Sequence, residues 1–345
     1  LPESKDRPYQ SPIVERPLEE ALEELNARFG KRAVEQVEAA LVRKELTYDD
    51  YIETRTLLSL QTTLTDHHDE FIFKVYHQQT ELWFRLALHE IERAIRSLIA
   101  PKNNLVDAID AVTRINRYFS ILTQSFSVLL DGLSSDEFLI YRKAFGTSSG
   151  FQSSQFRAIE ILCGLERDAS KRTDVSAESR PANERQETKV SAEEQATFYW
   201  ERAARHLTTN EPTLTLTKFK EQHLAYLNRL YADRKPYSLR LAFDLLVRGG
   251  SDSPASIEAY DRIFCENVSD PMQLLADQLL QLDDAIVTWK QMHLRVAAKH
   301  LARAPKGTGE TNWAEYLARS IAEQRCFPEL RNARTRTLTT KVTTG

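Results

Sequence analysis

HDEFIFKVYHQQTELWFRLALHE, from His68 to Glu90, is the stretch whose reading decides the fold. Apolar Ile72, Val75, Leu82, Leu86 and Ile91 recur at helical intervals, with Arg85, Glu90 and Arg93 between them. The spacing predicts a helix from His67, capped by Asp66, to about Ile99, with Pro101 beyond its end. Phe73 and His77 are four residues apart, so their side chains stack on one helical face. An imidazole beside an aromatic ring suits a flat, oxidisable ligand. It equally suits a core histidine satisfied by a neighbour, and the segment alone leaves both readings open.

Outward from this segment the chain stays helical. Residues 105–131 place Ile109, Val112, Ile115, Phe119, Leu122, Phe126 and Leu129 on one stripe. A short helix is expected at about 135–145, then the loop GTSSG (Gly146 to Gly150) and a helix from Phe151 to Leu165. Helical pattern also covers about 195–206, 216–232, 238–248 and 254–267. Asp270-Pro271 reads as a helix start, a capping acid followed by proline in the first turn. Leu275, Leu279, Leu282, Ile286, Trp289, His293, Val296 and His300 then form a buried seam that Pro305 ends. A last helix is expected at about 312–324, with CFPEL closing the core. No strand pattern and no internal repeat is evident, so the predicted class is all-α, a multi-helix bundle.

Composition supports this. The chain has 345 residues, enough for one large core, and only 10 are glycine, whereas Leu, Ala, Glu, Arg and Gln abound. A net charge of −4 gives no reason to expect nucleic acid or an anionic membrane as partner. No apolar run approaches the roughly 20 residues that span a bilayer. LPESKDRPYQ has no basic-then-apolar leader pattern, and three scattered cysteines form no CxxC pair, so a cytoplasmic location with reduced thiols is expected. The expected organisation is an N-terminal arm and helices over 1–45, a single helical domain over 46–335, and a tail over 336–345. Residues 166–195 are polar and nearly free of large apolar groups, and read as an exposed or disordered insertion.

Candidate chemistry is sparse. His293 stands in the seam where leucine is expected; it is either a core histidine or a metal or haem ligand. No HExxH or other zinc spacing is present, and there is no GxSxG or P-loop. Arg142, beside a Ser/Gly turn, could pair with a substrate carboxylate or be a surface charge. Thr308, between two glycines, lies on a loop whose backbone can approach a ligand.

Together these segments resemble the tryptophan 2,3-dioxygenase family. The resemblance rests on LTYDDYIETRTLLSLQ (Leu46 to Gln61), the His68–Glu90 stretch, FLIYRKAFGTSSGFQSSQFRAIE (Phe138 to Glu160), WKQMH followed by KGTG, and FPEL. It implies a helical haem-dioxygenase fold around haem b (iron protoporphyrin IX), with O2 as co-substrate and L-tryptophan cleaved to N-formyl-L-kynurenine. It implies His293 as the proximal iron ligand and His77 as the distal histidine bonding the indole N–H. Phe73 and Phe138 would line the indole pocket beside Ser149 and Gly150, Arg142 would grip the carboxylate, and Thr308 would contact the head group. Tyr48, Tyr51 and Ile52 would complete a neighbouring subunit's pocket in a homotetramer. Here the family's GTGGSSG lid is GTGETNW, His293 and Thr308 are 15 apart rather than one fewer, and the 166–195 insertion is additional. The alternatives are a related monooxygenase of a tryptophan or tyrosine derivative and, in another class, a non-catalytic haem or gas sensor.

Overall fold

The computed structural model describes residues 17–43, 47–167, 197–203, 205–206, 209, 211–234, 237–249, 251, 253–265, 270–302, 313–322 and 325–344. Its contacts divide into two units, 1–62 and 63–345. The N-terminal unit contains α1 (Leu18–Phe29), α2 (Lys31–Arg43), α3 (Tyr48–Ile52) and α4 (Thr54–Leu58). Thr47 caps α3, its hydroxyl accepting from the Asp50 amide at 3.3 Å. The larger unit contains α5 (His68–Ile99), α6 (Leu105–Ser125), α7 (Ser127–Gly132), α8 (Ser135–Tyr141), α9 (Ser154–Cys163), α10 (Tyr199–Ala203), α11 (Leu214–Phe219) and α12 (Ala225–Arg234). It continues through α13 (Leu239–Val247), α14 (Ile257–Cys265), α15 (Pro271–Leu301), α16 (Trp313–Ala322) and α17 (Pro328–Thr344). Among the described residues the sole extended pairing is an isolated bridge between Arg205 and Pro212, so the all-α class expected from the pattern holds.

Three long helices make the frame. α5 and α15 each pack along α6. Ala108, Ala111, Val112, Ile115, Phe119 and Leu122 of α6 are all fully buried, and the two alanines let the neighbouring helices come close. Each large apolar side chain removed from water in this way contributes about 1.5–3 kcal/mol. Asn116 fixes the axial register: its amide donates to the Gln278 carbonyl at 3.1 Å and to Gln278 Oε1 at 3.0 Å on α15. The buried face of α5 is Phe84, Ala87, Leu88, Ile91, Ile95 and Leu98. Leu82 and Leu86, expected on that face, point to solvent.

Asp66 does not cap α5. The helix starts at His68, and Glu70 reaches back to accept from the amides of Leu64 (2.6 Å) and Thr65 (2.8 Å) and from the Thr65 hydroxyl. Asp69 accepts from the Ser134 amide at 2.9 Å, which ties this helix start to the turn between α7 and α8. At the head of α15, Asp270 caps as the sequence predicts, accepting from the Met272 amide at 3.1 Å with Pro271 in the first turn. The stripe expected over 105–131 is two helices, broken at Phe126, and the expected 135–145 helix tightens into a 3₁₀ turn at Arg142–Phe145. α9 ends at Gly164 with φ +118°, where a Cβ would lie 2.6 Å from Arg240 Cβ; only glycine fits both constraints.

The segment expected as a tail after 335 is the second half of α17. Its threonines are poor helix formers, which hid it. Arg334 bonded to Asp277 (2.9 Å) and Arg336 forked onto Asp261 (2.7 and 3.1 Å) anchor it, with Leu330 and Ala333 buried. Of the 166–195 insertion, residues 168–195 lie outside the described residues.

Candidate functional site

α5, α8, α9, α15 and α16 enclose a cavity of about 610 Å³, within the usual range of small-molecule sites. Phe73 and His77 of α5, Phe138 of α8, Arg142, Ser149 and Gly150 of the segment that follows it, and His293 of α15 all line it. The sequence therefore identified seven wall residues that the fold brings together from four separate stretches.

His77 is fixed by its own helix. Its Nδ1 lies 2.7 Å from the Phe73 carbonyl, which can only accept, so Nδ1 carries the proton and Nε2 is left as an acceptor. Burial lowers its pKa, against the raising effects of the Phe73 carbonyl and Glu81, and keeps the ring neutral at pH 7. The Phe73 ring lies 4.1 Å from the imidazole, 5.5 Å from Phe138 and 5.3 Å from Phe145. This makes an aromatic wall from two helices and the following turn.

Arg142 sits four residues after Phe138, its guanidinium 5.8 Å from that ring. Burial lowers its pKa, and its Nε is buried with no hydrogen-bond partner among the described residues. A buried donor left unpaired costs about 1–3 kcal/mol, so the geometry suits an anionic acceptor supplied by a ligand. Ser149 and Gln152 close the next turn reciprocally: the Ser149 amide donates to Gln152 Oε1 at 3.1 Å, and the Ser149 hydroxyl accepts from the Phe151 amide at 3.3 Å.

His293 faces the cavity from α15, packed against Trp289 (5.6 Å) and Phe126 (6.2 Å). Burial, helped by His77 and Arg157, holds its pKa down to about 4. Neither of its ring nitrogens has a hydrogen-bond partner among the described residues. A neutral, uncommitted imidazole on an apolar wall is fit to be a ligand. Among the described residues no group of three His, Cys, Asp or Glu side chains could hold a bare metal ion. One imidazole donor in an aromatic-walled cavity fits a metal carried by a macrocycle, and the residues present fit haem in this respect. Trp289, also on the wall, has an indole N–H buried without an acceptor.

Sequence reading missed the charged corner of the cavity. Arg157 (α9) donates to Glu160 at 2.8 Å, to Tyr199 at 2.8 Å and to Tyr316 at 2.5 Å. Lys290 Nζ, one turn before His293, donates to Glu160 at 2.8 Å. Burial pushes the Glu160 carboxyl up, but Lys290 and Arg157 outweigh it and keep the group ionised. The signal was the i, i+3 spacing of Arg157 and Glu160 in QFRAIE, which puts both on one face. It could not show that a lysine from α15 would join them.

Tyr48, Tyr51 and Ile52 lie on α3 of the N-terminal unit, with the two tyrosines more than two-thirds exposed at 74% and 71%. Thr308 lies outside the described residues. Trp313 starts α16 and lines the cavity.

A family model described as tryptophan 2,3-dioxygenase matches residues 32–237, a stretch that includes Phe73, His77, Phe138 and Arg142. The tryptophan 2,3-dioxygenase of Caulobacter vibrioides is 33% identical over 298 residues, covering 85% of this chain and 99% of the relative. That of an Arthrobacter species is 31% identical over 307 residues, 87% of this chain and 96% of the relative. That of Exiguobacterium sibiricum is 30% identical over 297 residues, with 85% and 94% covered. With a matching family model over more than half its length and relatives aligned almost end to end, the chain belongs to the tryptophan 2,3-dioxygenase family.

Proposed function

We propose that this chain is an enzyme that adds both atoms of O2 across the C2–C3 bond of the indole of L-tryptophan, giving N-formyl-L-kynurenine, the opening step of tryptophan catabolism. The observation that carries the reading is the convergence of His77, Arg142 and His293 on one aromatic-walled cavity. His293 would hold haem b. When bound, that group supplies the redox-active iron that activates dioxygen.

The chain's own residues then act by placement. Arg142, its Nε unpaired, grips the substrate carboxylate. Phe73, Phe138 and Phe145 offer rings against which an indole packs. His77 Nε2 accepts from the indole N–H, an orienting bond more than a base's. The apolar wall excludes water from the reacting carbons. Thr308 is assigned the amino-acid head group through the resemblance. Residues 46–335 are read as the catalytic domain, with Tyr48, Tyr51 and Ile52 completing a neighbouring subunit's pocket in a homotetramer; the exposure of both tyrosines supports this. All three cysteines are unpaired, in keeping with a cytoplasmic location, and among the described residues no helix is long and apolar enough to cross a membrane.

The test is reconstitution with hemin, anaerobic reduction, then L-tryptophan and air. N-formylkynurenine absorbance with a mass gain of two oxygens is the expected result. A gain of one oxygen would favour the monooxygenase reading. Protein that shows no Soret band after hemin addition would overturn both.

A further inference from the structure

A third histidine, His300, lies on the cavity wall, seven residues beyond His293 on α15. Its position invites a chemical role, but its hydrogen bonds remove one. Nε2 is 2.9 Å from the Leu129 carbonyl, which accepts only, so Nε2 carries the proton. In the neutral ring Nδ1 is then an acceptor, and the Ser135 hydroxyl donates to it at 3.0 Å. Both nitrogens are committed, so His300 has no lone pair for a metal and no free proton site for a substrate.

Those two partners lie on either side of one turn. Leu129 is on α7, and Ser135 is the first residue of α8, the helix that carries Phe138 and leads into Arg142. The His300 ring also packs 5.5 Å from Phe138. Lys299 adds a bond from the same helix end to the Leu130 carbonyl. α8 has only seven residues, too short to hold its place by its own helical bonds.

We propose that His300 is a positioning residue that clamps the α7–α8 turn to α15 and so sets where Phe138 and Arg142 stand in the cavity. The claim rests on the functional reading above only for its kinetic arm. Loss of the clamp leaves Phe138 and Arg142 themselves intact but frees the short helix and the turn that carry them. Ground-state binding therefore suffers more than turnover.

His300→Leu keeps the apolar contact with Phe138 and deletes both hydrogen bonds, whereas His300→Gln can donate to Leu129 and accept from Ser135. The measurements on hemin-loaded protein are amide hydrogen exchange over residues 134–145 and separate KM and kcat values for L-tryptophan. In His300→Leu, exchange should quicken there and KM should rise about tenfold, with kcat and the Soret band nearly unchanged. His300→Gln should restore both. Unchanged exchange, unchanged KM, or a lower melting temperature with a KM that glutamine does not recover would overturn the clamp. Should His300→Leu fail to fold, Ser135→Ala decides: a smaller rise in KM and in exchange is expected, and no change overturns it. Wild-type protein inert toward tryptophan would sink the functional reading, and the exchange arm would still judge the clamp.

Discussion

The Nδ1–H of His77 donates to the carbonyl of Phe73 at 2.7 Å, and the two rings lie 4.1 Å apart. One helical turn thus fixes the tautomer of the histidine and places the aromatic ring beside it. The consequence is an imidazole that accepts a proton bond in the cavity and does not donate one. His77→Ala should lower kcat/KM for L-tryptophan by roughly tenfold, the worth of one such bond. It should also erase discrimination against 1-methyltryptophan, which has no N–H to offer; the ratio of the two kcat/KM values is the measurement.

Arg142→Ala should retain haem, read from the Soret band per protein, and raise KM for tryptophan roughly 10- to 100-fold, the range for a charged hydrogen-bonded pair. Arg142→Lys should recover little. A point charge on a flexible stem does not reproduce a planar fork braced over the Phe138 ring.

His293→Ala should yield protein with native helical content in far-ultraviolet circular dichroism and no Soret absorbance after hemin addition and gel filtration. The substitution removes one side chain that faces the cavity and, among the described residues, gives up its ring contacts with Trp289 and Phe126. Equal haem retention in variant and wild type would refute the ligand assignment.

Stability should fall in acid through Glu70. Burial acts to raise its pKa, but the amides of Leu64 and Thr65 and the Thr65 hydroxyl outweigh it, so the folded value lies below the ordinary carboxylate value of 4.5. A carboxyl depressed in the folded state contributes stability fully above its unfolded pKa and loses it as pH falls through the folded one. Glu70→Gln should cost about 1–3 kcal/mol at neutral pH and flatten the acid limb, measured as melting temperature between about pH 7 and pH 3.

Glu160→Ala should be among the most damaging single changes, costing about 3–5 kcal/mol, because it strands Arg157 and Lys290 in a buried corner. The urea midpoint measures it. Its far smaller effect when Arg157 and Lys290 are replaced by apolar residues as well would identify stranded charge, rather than lost packing, as the cause.

The helical class, the long α5 and α15 and the Asp270 cap were legible because periodicity and capping are local properties. His77, one turn from Phe73, and His293, where leucine is expected, stood out on apolar stripes, with a core or a ligand role open for each. Their assembly into one cavity with Arg142 was legible only by resemblance, since no local pattern says which helix faces which. Three features escaped for stated reasons. α17 is held by Arg334 and Arg336 against intrinsic threonine propensity. Glu70, not Asp66, satisfies the backbone ahead of α5, because a side chain three residues inside the helix can reach back. The Arg157–Glu160–Lys290 corner joins residues 130 positions apart in the chain. Even so, the two histidines of the α15 seam were both visible; the structure distinguishes them by their bonding, His300 being held at both ring nitrogens and His293 at neither among the described residues.

Lys290, His293 and His300 are carried on one unbroken 31-residue helix. Each residue inserted between them would swing everything downstream by about 100° and shift it about 1.5 Å. The anchoring charge, the candidate iron ligand and the clamp on α8 therefore keep time together, like teeth cut on a single shaft. An insertion or deletion inside this helix would disturb all three roles at once, whereas one outside it leaves their mutual register intact.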